Sequence, residues 1–76
     1  MIPIKELLNK IKWDKRYYPE QYTAYYHDRI EDNLVPVNLE SIRTEGNFMV
    51  VDKDDTKIPL HRIRKVMKGR MLVWRR

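Results

Sequence analysis

The stretch Ile58-Pro59-Leu60-His61-Arg62-Ile63-Arg64 decides how the rest of the chain is read. Its apolar residues Ile58, Leu60 and Ile63 point to burial, and Pro59, with its fixed φ and no N–H to donate, bends or ends a strand. The chain therefore turns inward here, with His61 and Arg62 side by side. On a straight strand two neighbours face opposite ways, so only a bend lets both side chains converge. Arg62 offers a planar fork of donors that can meet two phosphate oxygens and is always charged. His61, one of two histidines, adds a donor that gains charge near neutral pH when a phosphate approaches. Beyond the stretch, Val66 and Met67 extend it, Lys68-Gly69 reads as a two-residue hairpin turn, and Arg70 to Trp74 returns as a last strand.

This stretch also opens the most basic part of the chain. Residues 57 to 76 carry eight Lys or Arg and no acid, against eight basic and eleven acidic residues in 1 to 56, which divides the net charge of +5 into +8 and −3. A one-signed field in one segment attracts polyanions, chiefly nucleic acid and also anionic lipid; the plainer alternative is a solvated basic tail. With 76 residues, 42% hydrophobic and 36% charged, the chain reads as one compact domain whose small core covers about 60% of the unfolded surface. The absence of cysteine excludes disulfides, thiolate catalysis and the usual zinc sites, and makes a reducing cytoplasm the expected setting. No apolar run reaches the length of a membrane span and no secretory leader is apparent, so no membrane partner is expected.

Upstream, Ile4, Leu7, Leu8 and Ile11 recur at helical spacing, which predicts an amphipathic helix over about 3 to 12, with Pro3 at its first position and Trp13 closing the core at its end. Residues 14 to 21 read as a loop. Tyr22 to Arg29 alternates as a strand, with Tyr22, Ala24 and Tyr26 on the core face and Tyr17 and Tyr25 as the better candidates for exposed stacking of bases. Glu31 to Asn33 is a polar turn, and Leu34 to Val37 a strand that Pro36 confines to an edge or a bend. Asn38 caps a helical turn carrying Leu39 and Ile42 that Gly46 ends, Phe48 to Val51 is a strand, and Asp52 to Asp55 is a turn without the glycine and terminal glutamate of a calcium loop. A faint echo at an offset of 23 residues aligns Val35-Pro36-Val37, Gly46 and Phe48 to Val51 with Ile58-Pro59-Leu60, Gly69 and Met71 to Trp74. The expected fold is α+β: one N-terminal helix packed on a small, curved antiparallel β-sheet of about five strands.

A second polar cluster, His27-Asp28-Arg29, ends the tyrosine strand. Asp28 can hold Arg62 or orient His61, and Arg29 can add a phosphate contact; the alternative is a surface ion pair. Taken together, Ile2-Pro3 before the Leu7-Leu8 helix, Trp13-Asp14, Tyr26-x-Asp28-Arg29, Ile58 to Ile63 and Gly69 to Trp74 resemble a small, mainly archaeal uncharacterised family also called the RNA cyclic-group end recognition domain. The resemblance covers nearly the whole chain. It implies a single-domain binder of RNA ends bearing a 2′,3′-cyclic phosphate, acting alone or with RNA repair or phosphoesterase proteins, with Asp28, Arg29, His61 and Arg62 as the matched polar positions.

Three classes follow. A binding module would take a single-stranded RNA or its 3′ end, with Arg29, His61 and Arg62 as donors, Tyr25 or Trp74 as the stacked ring, and Arg64, Lys65, Lys68, Arg70, Arg75 and Arg76 as the backbone path; it needs no cofactor or metal. An RNA-processing phosphoesterase or nuclease would have only His27 and His61 as a histidine pair, and neither is followed two residues on by Ser or Thr. A basic protein-interaction domain of an RNA-handling complex is the third.

Overall fold

The computed structural model describes residues 2–76. The chain runs through helix α1 (Ile4–Trp13), strand β1 (Tyr22–Asp28), β2 (Asn33–Asn38), β3 (Ile42–Glu45), β4 (Phe48–Val51), β5 (Thr56–Pro59), β6 (Ile63–Lys68) and β7 (Met71–Arg75). Three 3-10 turns interrupt it: η1 (Pro19–Gln21), η2 (Leu39–Ser41) and η3 (Leu60–Arg62). The α+β reading with one N-terminal helix holds. The single curved sheet of about five strands does not: seven strands form two antiparallel sheets, one of order β2-β1-β6-β7 and one of order β3-β4-β5.

The reason lies in the 3-10 turns. Asn38 ends β2 by accepting the Glu40 N–H (2.8 Å) and donating from its amide to the Glu20 carbonyl (2.9 Å). That capped turn carries the chain out of the four-stranded sheet and into β3. At η3, Pro59 ends β5 and the turn carries the chain back into β6. A ladder cannot run through a 3-10 turn, so η2 and η3 each hand the chain from one sheet to the other. The helical reading of 38 to 46 was therefore too long: only Leu39–Ser41 is helical, and Ile42–Glu45 pairs with Phe48–Val51. Gly46 (φ +56) and Gly69 (φ +58) each open a tight connection between paired strands, where a positive φ suits glycine. The echo at 23 residues thus corresponds to two units of strand, 3-10 turn and hairpin. The second hairpin turn is Gly69-Arg70, one residue later than the sequence suggested.

One apolar cluster joins both sheets and the helix. Ile4, Leu8 and Ile11 of α1 meet Ala24 of β1, Ile63 and Val66 of β6, Ile42 of β3, Met49 of β4 and Ile58 of β5. Leu39 and Leu60 enter it from the 3-10 turns. Fully burying an aliphatic side chain of this size contributes about 1.5–3 kcal/mol, so the two leucines anchor the turns that divide the sheets. Trp13 departs from expectation at 82% exposed. It stands two positions beyond Ile11, about half a turn away from the buried stripe. No helix among the described residues is long and apolar enough to cross a membrane.

Candidate nucleic-acid interface

The β1 to β6 ladder ends at the pair Tyr26 and Ile63, so His27 and Asp28 run on beside η3, which lies against β1. The fold thus brings the end of the tyrosine strand next to the turn bearing His61 and Arg62. Within η3, Leu60 is buried, His61 exposed and Arg62 half-buried. The turn is held from outside by Arg76, whose Nε donates to the Ile63 carbonyl and whose Nη2 donates to the Leu60 carbonyl, both at 3.1 Å. The Arg76 N–H adds a bond to the Arg64 carbonyl at 2.9 Å. Arg76 is therefore committed to the carbonyls around η3.

Asp28 is not a partner of Arg62 or His61. Its carboxylate accepts the N–H groups of Ile30 (2.8 Å) and Glu31 (3.2 Å) and closes the turn that carries Arg29. A short acidic side chain satisfies nearby backbone donors at lower entropic cost than it reaches across a sheet. His27 is tied to the same turn, its Nε2 lying 2.9 Å from the Asp32 carboxylate.

Trp74 is also reassigned. Its ring is buried on the core face, its indole N–H donates to the Ile2 carbonyl (2.9 Å), and the Arg76 guanidinium lies 5.3 Å from the ring centroid. It cannot stack a base without leaving the core. Tyr17 packs against the core with its ring 6.3 Å from that of Tyr22. Tyr22 is buried and Tyr26 packs against the core, as their strand position predicted, and burial raises the phenol pKa of both.

Tyr25 stands on the opposite face of the four-stranded sheet. Strand register aligns Pro36 of β2, Tyr25 of β1, Lys65 of β6 and Arg75 of β7 in one row across all four strands, and none of the four is buried. The Lys65 ammonium lies 4.7 Å from the Tyr25 ring centroid. The register shifts at this row: between Tyr25 and Tyr26, β6 carries the extra residue Arg64, which is exposed. A bulge of this kind re-aims a side chain and sharpens the local twist.

Among the described residues, no ion pair engages Arg29, Arg62, Arg64, Lys65, Arg70 or Arg75. Elsewhere the arginines are spent. Arg43 binds Glu45 (2.7 Å), Asp52 (2.9 Å) and Asp55 (2.8 Å), and these hydrogen bonds raise its already high pKa. Arg16 binds Asp14 (2.8 Å), whose carboxyl is lowered to about 2 chiefly by that side-chain bond. A shallow cleft of ≈ 190 Å³ between the sheets is lined by Tyr26, Val37, Val51, Lys53, Asp54 and Thr56 among others. With one cation and one carboxylate it offers an anion little net attraction. The described residues hold no cluster of three His or acidic groups able to bind a metal.

The whole described chain matches the family model of the MJ1316 RNA cyclic group end recognition domain, over residues 1–76. The chain belongs to this family. Its relatives include a UPF0248 protein of Methanococcus maripaludis, 40% identical over 84% of this chain and 83% of the relative. The UPF0248 protein MJ1316 of Methanocaldococcus jannaschii is 36% identical over 83% of this chain and 78% of its own. A UPF0248 protein of Metallosphaera sedula is 33% identical over 96% of this chain and 91% of its own. No solved structure is significantly similar to it. The family's name speaks of RNA ends.

Sequence reasoning placed Arg76 and Lys65 on a cationic backbone path but missed the contacts they make, Arg76 to the Leu60 and Ile63 carbonyls and Lys65 over the Tyr25 ring. Both lay in the basic segment, but nothing local distinguishes a cation that will span two carbonyls from one that will stand over a ring.

Proposed function

We propose that this protein is an RNA-binding module that takes a phosphate-bearing strand end, a 2′,3′-cyclic phosphate, at the η3 turn. The observation that carries the reading is the contrast in partners: Arg29 and Arg62 have no carboxylate in ion-pair contact among the described residues, whereas Arg43 has three. A guanidinium that no carboxylate neutralises is available to an external anion. The family description supports the choice of RNA.

Each part then has a task. The Arg62 fork meets the two unbridged phosphate oxygens, and His61 adds a donor beside it. Asp28 sets the turn from which Arg29 reaches the same anion. Arg76 fixes the carbonyls of the η3 turn so that His61 and Arg62 are presented without reordering, which lowers the entropic cost of binding. Arg64, Lys65, Arg70 and Arg75 accompany the upstream backbone.

A titration with RNA oligomers ending in a cyclic phosphate, a linear 3′-phosphate or a hydroxyl tests it. A linear phosphate carries more charge near neutral pH, so a merely cationic patch binds it best. A site shaped for the cyclic group binds the cyclic end best. Affinity should also fall with salt, each neutralised phosphate adding about −0.7 to the slope of log K against log[salt]. Equal affinity for all three ends, or preference for the linear phosphate, overturns the reading.

A further inference from the structure

We infer that the uncovered face of the four-stranded sheet is a platform for the single-stranded RNA just upstream of the bound end, with a base on Tyr25 and phosphates over Lys65 and Arg75. This rests on the reading of the protein as a binder of RNA ends.

The face is defined by register. Alternation puts Ala24, Val66 and Trp74 into the core, so Tyr25, Lys65 and Arg75 must face outward. The adjoining row, Thr23, Met67 and Leu72, is half-buried or exposed and supplies a neutral floor. No carboxylate belongs to either row. A half-buried aromatic ring with two cations beside it in the row, Lys65 and then Arg75, supplies what an unstacked base and its phosphates require: a π-face for the base and donors for the backbone.

Charge decides the occupant. A second copy laid on this face would set Lys65, Arg75 and Arg64 against their own counterparts, and like charges in apposition disfavour such a dimer. A polyanion meets the opposite situation. Position agrees: β6 follows η3 directly, so the Tyr25 row lies only about 10 Å along the strand from the turn that holds the end.

Lys65 has two places to be. Without RNA its ammonium covers the Tyr25 ring, a cation–π contact that keeps the ring from presenting a bare apolar surface. An arriving base takes that position, and the ammonium moves to the adjacent phosphate. Stacking therefore exchanges one partner of Lys65 for a stronger, charged one.

The test uses the full chain with two probes: a nucleoside 2′,3′-cyclic monophosphate, which presents the end alone, and a short oligomer with the same end. Tyr25→Ala should weaken the oligomer about tenfold or more and leave the mononucleotide unchanged, while Tyr25→Phe, which keeps the ring, should restore oligomer binding. Lys65→Gln should make the salt slope shallower by about 0.7 for the oligomer only. The platform is refuted if Tyr25→Ala leaves oligomer affinity intact, or if it weakens both probes alike. If oligomers bind regardless of end chemistry yet still lose affinity with Tyr25→Ala, the platform stands and the end-reading falls; if no RNA binds, both fall.

Discussion

The two sheets are made from similar local parts, a strand, a 3-10 turn and a hairpin opened by glycine, yet they treat charge in opposite ways. Around the three-stranded sheet, residues 39 to 59 carry five acids and three bases, and Arg43 is enclosed by Glu45, Asp52 and Asp55. Along the β6–β7 half of the four-stranded sheet, residues 60 to 76 carry seven Lys or Arg and no acid, so those cations find no partner nearby in the chain. The difference teaches that the number of arginines is a poor guide to a phosphate site. What matters is whether the fold delivers a carboxylate to each. Arg76 adds a third fate, in which the charge is used on backbone carbonyls to hold the turn beside it.

The comparison holds only if both sheets belong to one folded unit. Ile42→Ala in the three-stranded sheet and Ile63→Ala in the four-stranded one each empty a fully buried position. Each should lower stability by about 2–5 kcal/mol with a single unfolding transition by circular dichroism and by tryptophan fluorescence. Two separate transitions would break the picture of a shared core.

Exchanging the roles of the arginines is a sharper and smaller test. Arg62→Ala should weaken binding to RNA with a cyclic end by about tenfold or more, the loss expected for a charge-assisted hydrogen bond, with the melting temperature unchanged. Arg43→Ala should do the reverse: it leaves three carboxylates crowded without their cation, lowers the melting temperature, and leaves RNA affinity as it was. Parallel titrations and melts of the two variants decide this, and equal loss of RNA binding in both would erase the distinction.

The smallest effect is on acid stability. Asp14 has its folded-state pKa lowered from 3.8 to about 2, and that of Asp54 is lowered by hydrogen bonds from Thr56. A depressed carboxyl contributes stability that is fully present above its unfolded value and is lost as pH falls through the folded one. Asp14→Asn should therefore flatten the decline in melting temperature between about pH 4 and pH 2, and Asp54→Asn should flatten it in the same direction. Unaltered acid limbs in both would show that these bonds do not persist in solution. The flattening comes from a lower melting temperature at neutral pH, where the bond is fully present, and with Asp14 half-buried and Asp54 exposed that loss should be small.

Much of this architecture could be read locally. The stripe Ile4, Leu8 and Ile11 specified the helix, Pro59 marked the bend at η3, Asn38 marked η2, and Gly46 and Gly69 marked the hairpins. Each acts through its own backbone or within one turn of it. Trp13 was misplaced because hydrophobicity was allowed to outweigh helical phase. Ile42–Glu45 was misassigned because a four-residue strand has too little alternation to outweigh a strong cap just before it. For the proposed site, His61 and Arg62 were singled out from their setting between apolar residues, and the outward face of Tyr25 from strand alternation. Asp28 and Trp74 were given the wrong partners, since the Ile30 and Glu31 amides that hold Asp28 and the Ile2 carbonyl that receives the Trp74 indole become known only in three dimensions.

Sequence alone determined the helix, the bends, the apolar face of each long strand and the separation of acidic from basic residues along the chain, because these follow from dihedral preference, periodicity and composition. Tertiary structure decided that seven strands divide between two sheets, that Arg43 is neutralised while Arg62 is not, and that Tyr25, Lys65 and Arg75 share one row. Pairing register and ion-pair geometry join residues far apart in the chain, and no local preference encodes which distant strand or carboxylate a residue will meet.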